Sequence, residues 1–433
     1  MEKVQTNSRP NYALPIAIMF ALFFMIAFVT GYQNPLGSVI EAKSGNNAVM
    51  SQLPTLANFL AYLCMGLPAG MILQKRGYRI SSMLAVTVGF VGVFISYLSG
   101  YITNNDTTAI IVYVIGAFIS GFAMCMLNTI VNPMLNSLGR DDKQGNQLVQ
   151  FGGTCNSLGA TLAPTVVGLL MGNQATNIAD ANPVFYLAMG IFVLAFVVLY
   201  FSKLPESPTL GQKQEKIAVS GAFKYSNFTL GVIAIFMYMG IEIGVSNFTL
   251  QYLTKGVEVG GLGVQMSVAG AIVGVYWLLM LVGRFIGGLV GGKISSRAML
   301  AAVASLLVIL LLLAIFLPKD IIVSVPGFSS GANGFEFIST QVPISILMLI
   351  LCGLGTSVMW GAIFNLSVSG LGKYTQVASG IFMVMVVGGG IWPVVQGAIV
   401  NAADYVTSFW LVVVCAAYQL FYALIGSRTK NNA

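Results

Sequence analysis

The chain contains no histidine and little charge of any kind: Asp, Glu, Lys and Arg make up 8% of its 433 residues, against about 25% in an ordinary soluble domain. Without His there is no imidazole proton shuttle, no His-based triad and none of the commonest metal ligand. Cysteine is scarce as well. All five (Cys64, Cys125, Cys155, Cys352 and Cys415) fall inside apolar runs and none has a partner at metal-ligand spacing, so they read as small buried hydrophobes. No Gly-x-x-x-x-Gly-Lys segment and no nucleophile–base set is present, which argues against an enzyme and implies no cofactor beyond a coupling cation, H+ or Na+. Any proton chemistry falls to carboxylates.

What the sequence does have is apolar length. Hydrophobic residues form 57% of the chain, and a membrane crossing needs about 20 of them in succession. On that criterion spans lie at 14–37, 50–73, 81–103, 109–137, 147–171, 184–202, 226–254, 263–291, 298–317, 341–370, 374–400 and 406–427. The first run follows Lys3 and Arg9 and continues to about Leu36, longer than the roughly 7–15 residues of a signal-peptide core, so it reads as a span. The 49 glycines suit helices that approach closely in lipid, where no hydrophobic drive pulls them together.

The basic residues test this segmentation. Sixteen of the twenty Lys and Arg fall in one alternate set of loops and tails; Lys43, Lys255 and Lys319 fall in the other, and Arg284 lies inside a span. Basic residues collect on the cytoplasmic side. Both termini are therefore expected in the cytoplasm, and the net charge of +7 reflects topology rather than a nucleic-acid partner. The expectation is a multi-pass protein of a bacterial cytoplasmic (inner) membrane, surrounded by the lipid bilayer and monomeric.

The two halves echo each other. Gly70, Lys75 and Arg79 recur as Gly288, Lys293 and Arg297 at identical spacing. Gln147, Gly159, Pro164 and Gly168 recur as Gln376, Gly388, Pro393 and Gly397 in a constant register. The expected organisation is a six-helix bundle over 1–202, a polar cytoplasmic linker over 203–225 and a second six-helix bundle over 226–433, related by pseudo-symmetry.

Two charged side chains are expected within the membrane, Glu242 in the seventh span and Arg284 in the eighth. An ionisable group there is costly and marks function by default. Glu242 lies close to the midpoint, 239 or 240, between the flanking Lys224 and Lys255 and reads as a coupling carboxylate, with a hydrogen-bonded structural Glu as the bland alternative. Arg284 lies about 15 Å away in depth at the 1.5 Å rise of a helix, too far for a direct pair. It reads as gating or structural, as do Lys75, Arg79, Lys293 and Arg297. Sugars are recognised by amides and carboxylates combined with an aromatic face. Candidates are Gln33, Asn34, Asn128, Asn132, Gln150, Asn156, Asn247, Asn365 and Gln396, with Trp360 and Trp392 as stacking platforms. For each amide the competing reading is an interhelical hydrogen bond.

At these residues the chain resembles the fucose/galactose/glucose symporter family of the major facilitator superfamily. The likeness runs through Leu127-Asn128-Thr129-Ile130-Val131-Asn132-Pro133, Asn156-Ser157-Leu158-Gly159, Tyr238-Met239-Gly240-Ile241-Glu242, Ile363-Phe364-Asn365-Leu366, Leu371-Gly372-Lys373-Tyr374-Thr375 and Gly388-Gly389-Gly390 with Pro393 and Gln396-Gly397. The resemblance implies an all-α polytopic membrane protein of major facilitator fold, with twelve transmembrane helices. It also implies secondary active import of a monosaccharide (hexose, deoxyhexose or N-acetylhexosamine) by cation symport. Proton-coupled members carry carboxylates at the places of Asn34 and Asn128, and an amide does not titrate in this range. Coupling would then run through Glu242 or a sodium ion. Two alternatives stand beside this reading: an anionic sugar such as a sialic acid held by Arg284, and a membrane sensor or scaffold that transports nothing.

Overall fold

The structure is a computed structural model that describes residues 12–102, 105–139, 142–171, 177–206, 219–290, 294–331, 334–371 and 374–428. Twelve of its helices are long and apolar enough to cross a membrane: α1 (Ala13–Lys43), α2 (Leu53–Leu73), α3 (Lys75–Ser99), α4 (Asp106–Leu135), α5 (Phe151–Met171), α6 (Ile178–Phe201), α7 (Ser226–Thr254), α8 (Met266–Val290), α9 (Ser296–Phe316), α10 (Ile344–Val368), α11 (Gly380–Ala402) and α12 (Tyr405–Gly426). Large apolar side chains point outward from α6 and α9, as at Leu194, Phe201 and Phe316. Rings such as Phe185, Phe192, Phe228, Phe248 and Phe409 fill the interior. An apolar exterior over an apolar core is what a lipid solvent selects.

Three spans are interrupted. α1 divides at Tyr32 into Ala13–Gly31 and Gln33–Lys43. Pro35 explains the break, because its ring displaces the carbonyl four residues back, that of Gly31. α10 divides after Thr356, where the Ser357 hydroxyl bonds the Leu354 carbonyl at 2.7 Å and competes with the helical ladder. The α11 segment begins as Thr375–Met385 and resumes as Gly388–Ala402, at three consecutive glycines.

The repeated residues hold equivalent places. A Cβ at Gly159 of α5 would come 2.4 Å from the Phe24 carbonyl of α1, and one at Gly388 would come 2.2 Å from the Phe236 carbonyl of α7. Gly168 and Gly397 do the same across the two sets of six, against the Met266 carbonyl at 2.9 Å and the Ala48 carbonyl at 2.7 Å. Arg79 donates to the Leu199 carbonyl at 3.3 Å and to that of Tyr200, fastening the end of α6, while Arg297 bonds the Ser427 hydroxyl at 3.2 Å beyond α12. Lys75 is exposed, and Lys293 lies outside the described residues.

Between α9 and α10 the chain forms an antiparallel hairpin, β1 (Ile322–Gly331) and β2 (Gly334–Pro343). The span assignment treats this stretch as a loop.

Candidate functional site

The middle of α7 gathers the candidate centre. Glu242 is half-buried and follows the fully buried Tyr238 by one helical turn, on the same face of α7. Trp360 of α10 packs edge-on to Tyr238 at 6.2 Å. Trp392 of α11 lies 5.6 Å from Phe236 and against Gly240, where a Cβ would come within 2.4 Å of the indole. Only glycine admits that approach. From α8 the Tyr276 hydroxyl donates to the Glu242 carbonyl at 3.4 Å and shares a hydrogen bond with Thr356 at 3.2 Å.

Arg284 reaches the same neighbourhood from below. Among the described residues no ion pair joins it to Glu242. The guanidinium donates to the Ser357 carbonyl at 3.3 Å, which the break in α10 leaves available. It also crosses to α5, bonding the Ser157 hydroxyl at 2.9 Å and the Gly153 carbonyl at 3.5 Å. Arg284 is thus a tether between the two sets of six helices.

The candidate amides divide by what they bond. Asn128 donates to the Tyr62 hydroxyl at 2.9 Å, and Asn132 to the Asn128 carbonyl at 2.9 Å. Asn156 bonds the Phe23 carbonyl at 3.0 Å, joining α5 to α1, and buried Gln396 bonds Ser408 at 3.2 Å, joining α11 to α12. Gln33 is buried beside Tyr32, and Asn365 is exposed. The side chains of Asn34 and Gln150 lie outside the described residues. Trp360 and Trp392 therefore pack against α7 in the turns just before Glu242, Arg284 bonds α10 and α5, and several amides serve helix packing.

The expectation of only two charges within the apolar body needs correction. Glu41 lies in the last turns of α1, 2% exposed, and pairs with Lys255 at 3.4 Å. Lys255 also donates to the Ser38 carbonyl at 3.2 Å, and Tyr405 donates to Glu41 at 3.1 Å. Asn247 and Gln251 stand four residues apart on one face of α7, and Lys255 follows four further on, just past its end. Each crosses the seam: Asn247 to Gln52 at 2.9 Å, Gln251 to Ser51 at 2.8 Å, Lys255 to Glu41. The Asn401 side chain adds bonds to the Ala48 amide at 2.8 Å and to Asn47 at 2.6 Å. This spacing was visible in the sequence, but the partners were not. The seam, at the Lys255 end of the bundle, and Arg284 both supply side-chain hydrogen bonds between the two sets of six.

A family model for the Major Facilitator Superfamily matches residues 18–393. The chain belongs to that superfamily. It is 28% identical over 436 residues to the glucose/galactose transporter of Brucella abortus, covering 98% of this chain and 97% of the relative. Among solved structures it is similar to the E. coli fucose:proton symporter, with a TM-score of 0.66 at 20% identity over 97% of this chain and 100% of that one. It is also similar to the inward-open E. coli xylose transporter, with a TM-score of 0.71 at 13% identity over 97% of this chain and 96% of that one. These likenesses carry the twelve-helix transporter fold. The chain is a membrane transporter and not an enzyme.

Proposed function

We propose that this chain imports a monosaccharide by cation symport with alternating access. The observation that carries the reading is Glu242, a half-buried carboxylate in mid-span, with the half-buried Trp360 ring packed against Tyr238 one helical turn away. A carboxylate accepts from paired sugar hydroxyls and an aromatic ring covers the C–H face of the same sugar. The glucose/galactose transporter named for the Brucella relative and the fucose and xylose carriers among the structural neighbours support this substrate class. Glu242 links cation occupancy, H+ or Na+, to sugar binding. Two bundles, 1–202 and 226–433 joined by the linker 203–225, rock about the centre. The Lys75 end and both termini face the cytoplasm of a bacterial cell, the Lys255 end faces outward, and the transporter works as a monomer in the inner membrane.

Uptake of labelled monosaccharides into proteoliposomes, under a proton gradient and a sodium gradient separately, tests the proposal. Accumulation of at least one monosaccharide above its equilibrium level under one gradient is the expected result. Absence of accumulation for every sugar under both gradients overturns it and favours a sensor or scaffold. One observation favours a second cargo, an acidic sugar: Arg284 bonds neutral oxygens and, among the described residues, pairs with no carboxylate. Under that reading Arg284→Gln removes uptake of acidic sugars alone.

A further inference from the structure

The seam at the Lys255 end joins helices that the transport cycle must separate. Its deepest ionic contact is unlike a surface salt bridge, since Glu41 and Lys255 are 2% and 8% exposed. Taking two charges out of water is costly, and their attraction compensates only while both are present with further hydrogen bonds. Those bonds exist here: Tyr405 of α12 donates to Glu41, and the Ser38 carbonyl of α1 accepts from Lys255. The pair also caps the four-residue stripe of Asn247, Gln251 and Lys255. These three contacts run along the last two turns of α7 and the residue that follows it.

A cavity of about 370 Å3 adjoins the pair, lined among others by Glu41, Asn46, Asn47, Asn401 and Tyr405. Its size is within the range of about 300–1,000 Å3 for small-molecule sites. Its polar groups are largely committed to one another, however: Asn401 bonds Asn47, and Tyr405 bonds Glu41. It is better read as the notch through which solvent reaches the pair than as a second cargo site.

We propose that Glu41 and Lys255 form the outer latch of the transport cycle, an ion pair whose closure holds the Lys255 end shut and whose separation opens it. Tyr405 positions the carboxylate, and the Ser51–Gln251 and Gln52–Asn247 bonds close in sequence beneath it. This inference rests on the alternating-access reading but not on which sugar or cation is carried. It makes a signed statement about single and double replacements. Removing one partner leaves a buried unpaired charge, which only an open, watered seam relieves. Replacing both with apolar side chains of similar size removes the cost and lets the seam close again.

The test needs no cargo. Ser51→Cys places a thiol beneath the latch at a residue 1% exposed. A membrane-impermeant maleimide is applied from outside to intact cells, and the chain without Ser51→Cys gives the background of its own five cysteines. Adding Glu41→Gln should accelerate labelling at position 51 by about tenfold or more, the least that loss of one buried partner implies. Glu41→Leu combined with Lys255→Met should return it to within about twofold of the latched chain. Should Glu41→Gln not reach the membrane, Lys255→Met alone carries the same expectation. Unchanged labelling in the single variants, or a double variant as open as the singles, overturns the latch. Latch behaviour without sugar accumulation would leave this inference standing and remove only the sugar reading.

Discussion

The outer seam and the Glu242 centre both place a carboxylate among apolar helices, and they are built in opposite ways. At the seam Glu41 has a cationic partner and a phenol, and the side chains around it bond across to the facing bundle. At the centre Glu242 has no cationic partner within ion-pair distance among the described residues, and the Trp392 indole N–H is buried without an acceptor. Buried polar groups are ordinarily satisfied. A seam whose side chains bond directly across to the facing helices is suited to closing. A centre that leaves bonding capacity open is suited to receiving something that leaves again. The difference separates a device that sets which side is open from a device that holds cargo.

Substitutions that touch one region and spare the other sharpen this comparison. The largest effect should come from Gly397→Leu. Its Cβ would meet the Ala48 carbonyl at 2.7 Å across the seam, so the outer end cannot finish closing. Uptake in proteoliposomes should fall by about tenfold or more, because an overpacked contact costs roughly 1–3 kcal/mol. The melting temperature should change little, since the helices within each bundle keep their packing.

Gly388→Leu meets the Phe236 carbonyl inside one bundle at 2.2 Å. Here the same roughly 1–3 kcal/mol falls on the fold itself, and thermal denaturation in detergent should show a clear loss of stability. If the two glycine variants behave alike, the distinction between moving seam and fixed bundle is wrong.

At the centre, Tyr238→Phe removes a buried hydroxyl that has no protein hydrogen-bond partner and keeps the ring against Trp360. A several-fold fall in uptake with unchanged stability is expected, in keeping with about 0.5–1.5 kcal/mol for one hydrogen bond to cargo. The smallest effect should be Lys43→Ala. Its pair with Asp106 at 2.7 Å is partly exposed on the Lys43 side and largely exposed on the other, and exposed pairs contribute about 0–1 kcal/mol. Neither uptake nor melting should move measurably.

Much of this architecture was legible in the sequence because its signals are additive over length. Twenty apolar residues in a row and a skew of Lys and Arg between loops survive any local error. Glu242 was legible for the same reason, as one acid far from either end of its span. Glu41 was not. It closes an apolar run two residues before Lys43 and reads as the start of a loop, and its partner is remote in sequence. The stripe of Asn247, Gln251 and Lys255 announced a polar face without saying what it met. Gln396 shows the converse: its type and depth fit a sugar site, yet it bonds Ser408 within its own bundle. Residue type gives the capacity for a bond, and only the packing decides where that capacity goes.

The central claim is that Glu242 ties the cation to the sugar. Proteoliposomes bearing Glu242→Gln should fail to accumulate sugar under a gradient that drives the parent protein, while still exchanging labelled for unlabelled sugar across the membrane at a measurable rate. Accumulation at the parent's level in that variant would contradict the account.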